Sequence, residues 1–502
     1  MADTQGAVGT VEGGAAESRP LQIETNGINV ITDAERKGHP RDLFWPWFAA
    51  NISVLGLSYG AFLLAFGISF WQAVVVGVAG IIISFLLCGF IAIAGKRGSA
   101  PTMVLSRAAF GVRGNKLPTV ISWLLTVGWE TILMILAVLA IATVFGHLGW
   151  PSGTPTKVIA LIVVVGLTIF GGVMGFDLIM RMQTAITIIT GVLTVVFIIL
   201  VAGKIHWAAV SALPAGSVES LIGGLVFMMT GFGLGWVNVA ADYSRYLPRR
   251  SSSAGVAGWT TFGGAVAPIA LVIFGLLLAG SSKSLSASIA NDPIGALAVL
   301  LPTWFLIPFI IVAVLGLIGG AVLDIYSSGL ALLSLGLRVP RFVAALIDGT
   351  VMTIGTIYVV FYAGNFFGQF EGFLITLGVP IAGWCGVMLA DIGLRRRDYA
   401  EAELYNPSGR YGDIRWFPVG LVIISTVIGW GLVTNGLASW LTWQGYLLGP
   451  FGLGGKTGAW AFANLGVLVA LVLGFLAQWI YGRAGVRVQE GAPPLEPAAA
   501  QR

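Results

Sequence analysis

The sequence predicts an all-α polytopic membrane protein with about twelve spanning helices, and three observations lead there. The first is composition. Of the 502 residues, 57% are hydrophobic and only 10% charged, against roughly 25% in a domain whose surface faces water. The second is the recurrence of apolar stretches long enough for a hydrocarbon core about 30 Å thick. They fall at 44–66, 68–94, 118–145, 158–176, 182–203, 219–241, 254–280, 304–335, 342–362, 370–391, 416–436 and 458–481. The third is the placement of basic residues between them. With a cytoplasmic N-terminus, the inner segments hold 23 of the 27 Lys and Arg, and the outer loops only Lys157, Lys204, Lys283 and Lys456. That asymmetry sets orientation, and one span too many or too few would scramble it. Both termini are therefore expected in the cytoplasm, with the chain in the cytoplasmic membrane. The net charge of +5 then reports topology, with no nucleic-acid partner.

Residues 1–42 read as a Gly/Ala-rich polar cytoplasmic tail, disordered to about Leu21, with no cleaved secretory signal. Residues 43–392 hold the first ten helices, 393–482 helices 11 and 12, and 483–502 a second cytoplasmic tail, rich in Pro and Ala from Gly491 to Ala500. The stretch 304–335 is long for one span and should run past the membrane. Trp45, Trp47, Trp150 and Trp207 fall near predicted interfaces and read as belt residues. The longest polar loops have only about twenty residues, too few for a soluble catalytic domain. Cys88 and Cys385 lie in apolar stretches, and His39, His147 and His206 have no ligand-like neighbour, so neither metal nor cofactor is expected. No nucleophile constellation suggests an enzyme, and no polar stripe suggests a passive channel. Carriage of a small solute is the remaining expectation.

Two spans carry glycine-dense patches, Gly56-Leu57-Ser58-Tyr59-Gly60 in helix 1 and Gly231-Phe232-Gly233-Leu234-Gly235, followed by Trp236, in helix 6. Each could serve close helix packing. Their places, first and sixth, are equivalent in two successive sets of five helices, and an odd number of spans inverts the second set. Discontinuous helices at matching positions of inverted repeats point to a mid-membrane substrate site, where unwound backbone binds polar ligand. Intramembrane carboxylates are costly and usually functional. Glu130 in helix 3 and Asp324 in helix 8 are candidates for reading substrate donors or carrying a proton. Asp242, ending helix 6, reads as a structural carboxylate paired with an arginine such as Arg245. Trp129 and Trp236 lie mid-span and could stack on a flat ring.

Several tracts resemble the nucleobase–cation symporter family, in its purine–cytosine permease branch. They are Phe44-Trp45-Pro46-Trp47 leading to Asn51, the loop Ser106–Gly114, Gly128-Trp129, Gly235-Trp236 followed by Ala240-Ala241-Asp242-Tyr243-Ser244-Arg245-Tyr246-Leu247-Pro248, then Tyr326-Ser327-Ser328-Gly329-Leu330 and Pro380-Ile381-Ala382-Gly383-Trp384. They span about residues 40 to 480 in the family's order.

The resemblance implies the five-plus-five inverted-repeat, LeuT-like transporter fold with helices 1 and 6 broken. It implies a nucleobase between Trp129 and Trp236, and the backbone of the two glycine patches, with Gly56, Ser58 and Gly235, is expected to contribute hydrogen bonds to it. The family's helix 8 asparagine falls on Asp324, and its helix 3 amide on Leu133, which leaves Asp324 and Glu130 as the polar readers and as the coupling groups. Sodium-driven members place hydroxyls on helix 8 where this chain has Ile318 and Gly319, so proton symport is expected. The alternative is a sodium-coupled importer of a hydantoin, allantoin, uracil or hydroxymethylpyrimidine.

Overall fold

In lipid every backbone amide and carbonyl must be satisfied within its own segment, so apolar stretches of this length become helices. The computed structural model describes residues 27–174, 176–362, 366–435 and 439–492, and among them every regular element is helical. We number the apolar helices in chain order. Helix α1 comes in two pieces, Phe44–Asn51 and Leu55–Leu64. It is followed by α2 (Phe70–Gly98), α3 (Lys116–His147), α4 (Thr154–Met174) and α5 (Phe176–Val201). Helix α6 starts as Val218–Gly231 and resumes at Ala240–Ser244. Then come α7 (Ser253–Ser281), α8 (Leu306–Leu335), α9 (Arg341–Tyr362), α10 (Phe366–Leu394), α11 (Trp416–Gly431) and α12 (Leu465–Gly491). Among the described residues, nine helices are long and apolar enough to span a membrane, and α1 adds a tenth as a pair bent by 66°. Val218–Gly231 and Trp416–Gly431 are apolar but shorter.

The long stretch in 304–335 is one helix of 30 residues, about 45 Å at 1.5 Å per residue, so it overruns the hydrocarbon core as expected. Helix α12 departs from the expected 458–481. It starts at Leu465, after Asn464 at φ 53 and a run of turns, and continues to Gly491. Its last turns are held by Gln489, which donates to the Ala108 carbonyl at 3.0 Å and accepts from Arg395 at 2.7 Å. The N-terminal segment also differs from a free tail over its described part. Ile31 is buried, its amide donates to the Ser99 carbonyl, and Lys37 N–H donates to the Tyr246 carbonyl. Residues 1–26 and 493–502, which hold the other expected tail segments, lie outside the described residues.

Close backbone approach sets the packing of α1 on α7. A Cβ on Gly60 would meet the backbone of Gly275 and Leu276, and a Cβ on Gly275 would meet that of Leu57. Helix α3 packs along α8 and α9, α2 along α7, and α10 along α12.

The basic segments meet at one end of the bundle, where buried arginines tie distant parts of the chain together. Arg36 donates to the Lys96 and Leu247 carbonyls, each at 3.2 Å, and pairs with Glu401 at 3.5 Å. Arg249 and Ser99 also engage Glu401. Burial, and then the like charge of Arg249, push the Arg36 guanidinium below its ordinary value, while Glu401 and Asp33 work the other way. One carboxylate thus clamps the chain before α1, the end of α2 and the start of α7 to the α10–α11 loop. Glu401→Gln removes it from between two guanidiniums. Each charged hydrogen bond is worth about 1.5–3 kcal/mol, so the thermal melt of the solubilised variant is expected to fall below that of wild type. An unchanged melt would show that the clamp carries no load.

Candidate functional site

The two helix breaks face each other. In α1 the helical path ends at Ile52, which has φ −86 and ψ 78. The Asn51 amide donates to the Trp47 carbonyl at 2.8 Å, and Ser53 Oγ accepts from Leu55 N at 3.3 Å. Such local side-chain bonds compete with the helical ladder. The break therefore precedes the glycine patch. Gly56 and Gly60 sit in regular helix and serve packing, with Leu271 only 3.1 Å from a Cβ built on Gly56. In α6 the break falls where the glycines are. Phe232 has φ −122 and ψ −117, and short 3-10 turns at Gly233–Gly235 and Val237–Val239 carry the chain to Ala240. Gly233 N–H donates to Ser84 Oγ at 3.1 Å, and the Gly231 carbonyl accepts from the Tyr59 hydroxyl at 3.2 Å.

Between the breaks lies a cavity of about 50 Å³. Asn51, Ser53, Gly56 and Tyr59 line it from α1, Trp129 and Leu133 from α3, Phe232 and Trp236 from α6, and Gly316 and Asp324 from α8. That volume holds only a few waters, and the cavity as it stands is smaller than a ring compound. Above it, on the side away from the basic end, Tyr59, Phe232 and Phe370 close over it, with Tyr59 and Phe232 centroids 4.6 Å apart. Below it, Trp47 meets Trp236 edge-on at 5.7 Å and Tyr243 at 5.5 Å. Trp47 is fully buried, so it is no belt residue, whereas Trp45, Trp150 and Trp207 are exposed. A wider groove of about 690 Å³ runs between α2, α10 and α12, but its lining is almost wholly apolar and lipid-facing.

Of the expected site residues, Trp129, Trp236, Asp324 and Gly56 come together on the cavity. One Asp324 oxygen is buried without a hydrogen-bond partner. Gly235 is not among the residues that line the cavity, and its own N–H is taken by the Phe232 carbonyl. A Cβ there would lie 3.0 Å from Trp129 Nε1. Two expectations change. Ser58 is fully buried and donates to the Pro293 carbonyl, away from the cavity. Glu130, next to Trp129 in sequence, is turned about 100° around the helix and packs behind the cavity instead of lining it. Arg245 lies within electrostatic reach of Asp242, and each also has hydrogen-bond partners of its own. Asp242 accepts from Thr102 N and Oγ1, both at 2.8 Å, while Arg245 donates to the Gly27 carbonyl and to the Tyr246 and Tyr326 hydroxyls.

Two further buried polar residues, both within predicted spans, were not among the expected site residues. Gln183 on α5 is fully buried, and its amide donates to the Gly319 carbonyl at 2.7 Å. Asp348 on α9 is fully buried and accepts from Trp123 Nε1 at 2.6 Å.

A closed aromatic cavity between two broken helices, deep in a helical bundle, defines a membrane carrier. Residues 30–449 match the model of the family described as permeases for cytosine/purines, uracil, thiamine and allantoin, and this chain belongs to that family. The purine-cytosine permease FCY2 of Saccharomyces cerevisiae is 24% identical over 494 residues, covering 91% of this chain and 88% of the yeast protein. YxlA of Bacillus subtilis is 24% identical over 421 residues, covering 81% and 88%. The solved structure of Mhp1, a nucleobase-cation-symport-1 family transporter, in a closed conformation with bromovinylhydantoin bound, is 19% identical. It superposes with a TM-score of 0.66 over 93% of this chain and 99% of Mhp1. That likeness shows the inverted-repeat transporter fold.

Proposed function

We propose that this permease imports a nucleobase, cytosine or a purine, across the cytoplasmic membrane together with protons, with its basic end in the cytoplasm. The observation that carries the reading is the cavity itself, with the indoles of Trp129 and Trp236 and the carboxyl of Asp324 converging between the two breaks. Indole faces suit a flat heterocycle. A carboxylate accepts hydrogen bonds from ring N–H or exocyclic amine donors, and the bond is strong because one partner is charged. Rocking of α1, α2, α6 and α7 against the remaining helices would alternate access.

Proton coupling has separate support. Sodium needs oxygen ligands, and Ile318 and Gly319 offer no hydroxyl at the α8 positions where sodium-driven members carry them. The Gly319 carbonyl is moreover engaged by the Gln183 amide, a donor placed where a cation would otherwise find its acceptor.

Uptake of labelled cytosine by proteoliposomes, competed by a panel of ring compounds, tests both parts. Cytosine and hypoxanthine are expected to compete. Accumulation should collapse with a protonophore and ignore replacement of sodium by choline. Competition by allantoin or a hydantoin but not by bases, or accumulation that follows sodium, would replace this reading with the sodium-coupled alternative.

A further inference from the structure

Three buried carboxyls lie where α3, α8 and α9 pack, Asp324 on the cavity wall and Glu130 and Asp348 behind it. Glu130 is fully buried, and neither of its oxygens has a hydrogen-bond partner. Asp348 has one oxygen on Trp123 Nε1 and the other without a partner. Glu130 is within electrostatic reach of both Asp348 and Asp324, and Ser328, one turn beyond Asp324 on α8, stands beside both Glu130 and Asp348. The Ser328 hydroxyl donates to the Ile325 carbonyl at 3.3 Å. From α6, the Tyr243 hydroxyl is the titratable group facing Asp324, and it bonds to the Leu323 carbonyl and Ser327. Among the described residues no Lys, Arg or His pairs with any of the three carboxyls. The one arginine of α9, Arg341, donates to the Gly172 and Val173 carbonyls and lies over the Tyr326 ring.

An ionised carboxylate inside a membrane bundle is costly unless a cation or good donors compensate it. Adjacent carboxylates without a cation cannot all be ionised, so protons take the place an arginine or lysine would fill. The three groups differ in access. Asp324 lines the cavity, whereas Glu130 and Asp348 do not. Trp123, which binds Asp348, lies two turns nearer the basic end of α3 than Glu130. The cluster thus leads from the substrate cavity toward the basic end.

We propose that Glu130 and Asp348 share one exchangeable proton, the coupling proton, and that Asp348 is a proton-carrying residue of the transport cycle. The inference rests on the nucleobase-symport reading above. A second proton stays with the pair, so without the coupling proton the two carboxyls share a single negative charge, and taking the coupling proton from Asp324 makes the pair neutral and leaves Asp324 ionised. Asp324 exchanges the proton with the cavity side, where a bound base competes for the same carboxyl.

Reconstituted protein with cytosine as probe tests this. With an imposed gradient of about one pH unit, one-for-one coupling accumulates cytosine about tenfold. Asp348→Asn is expected to bring that ratio to about one and to abolish cytosine-dependent proton flux, while counterflow exchange at equal pH persists. Asp348→Glu is expected to restore accumulation. Wild-type accumulation in Asp348→Asn overturns the proposal alone, as does loss of counterflow in both variants, which would make Asp348 structural. Absence of cytosine counterflow in the wild type overturns the nucleobase reading first, and this proposal with it.

Discussion

Trp236→Ala is expected to weaken binding of a base by about 1–3 kcal/mol, the worth of one base–aromatic stack, which is roughly five- to 150-fold. Trp236 lies on the cavity, with Trp47 edge-on beneath it, so truncation removes both a stacking face and the support of the cavity floor. Trp129 approaches from α3 and is backed edge-on by Phe370 at 5.7 Å and Phe373 at 6.1 Å. The two indoles line one cavity and would hold the same ring, so their effects are expected to couple instead of adding, and the double alanine variant should bind more weakly than either single one. Trp236→Phe keeps an aromatic face and should retain most of the binding. Equilibrium binding of labelled cytosine to solubilised protein measures all three. Affinity unchanged in Trp236→Ala would place the ring elsewhere.

Gly275→Val is expected to damage folding severely. The atoms a Cβ would strike belong to the Leu57 backbone, its carbonyl carbon at 2.7 Å and its Cα at 2.9 Å. A side chain can swing aside, but a helix backbone can only shift as a whole. Overpacking of a tight core costs about 1–3 kcal/mol and at times more. Here the displaced element is the second half of α1, which carries Gly56 and Tyr59 on the cavity wall. The variant should melt lower than wild type and yield little folded protein in size-exclusion chromatography. Gly258→Val, on the same helix with open space around its Cβ, should behave as wild type. Equal melts for the two variants would refute the contact.

Much of this architecture was legible because its causes are local. Apolar length gave the spans, and the glycine cluster around Phe232 marked the α6 break correctly. In α1 the same kind of cluster misled, because Gly56 and Gly60 are packing residues set against α7. The true signal was the polar pair Asn51 and Ser53 in mid-span, whose side chains bond to their own backbone. Trp129, Trp236 and Asp324 could be picked out as mid-span aromatics and a costly charge. Glu130 shares those properties, yet one residue of helical rotation turns it from the cavity to the α9 side. Asp348 and Trp123 are 225 residues apart, and the donation of Gln183 to Gly319 crosses 136. Nothing in the neighbourhood of either member announces such a pair. They exist only once α3 meets α9 and α5 meets α8.

The joint in α1 has a further consequence. The bonds Ile52 N–H to Phe48 O and Gly56 N–H to Ser53 O close each half on itself, and the halves meet at 66°. Ala50 and Asn51 belong to one half, Leu55, Gly56 and Tyr59 to the other, and all five touch the same cavity. A ring seated there would span the joint and restrict any turning of one half against the other. Part of the binding free energy is then spent on that lost entropy. A variant that stiffened the joint in its bound angle would hold substrate more tightly and release it more slowly, and so exchange turnover for affinity.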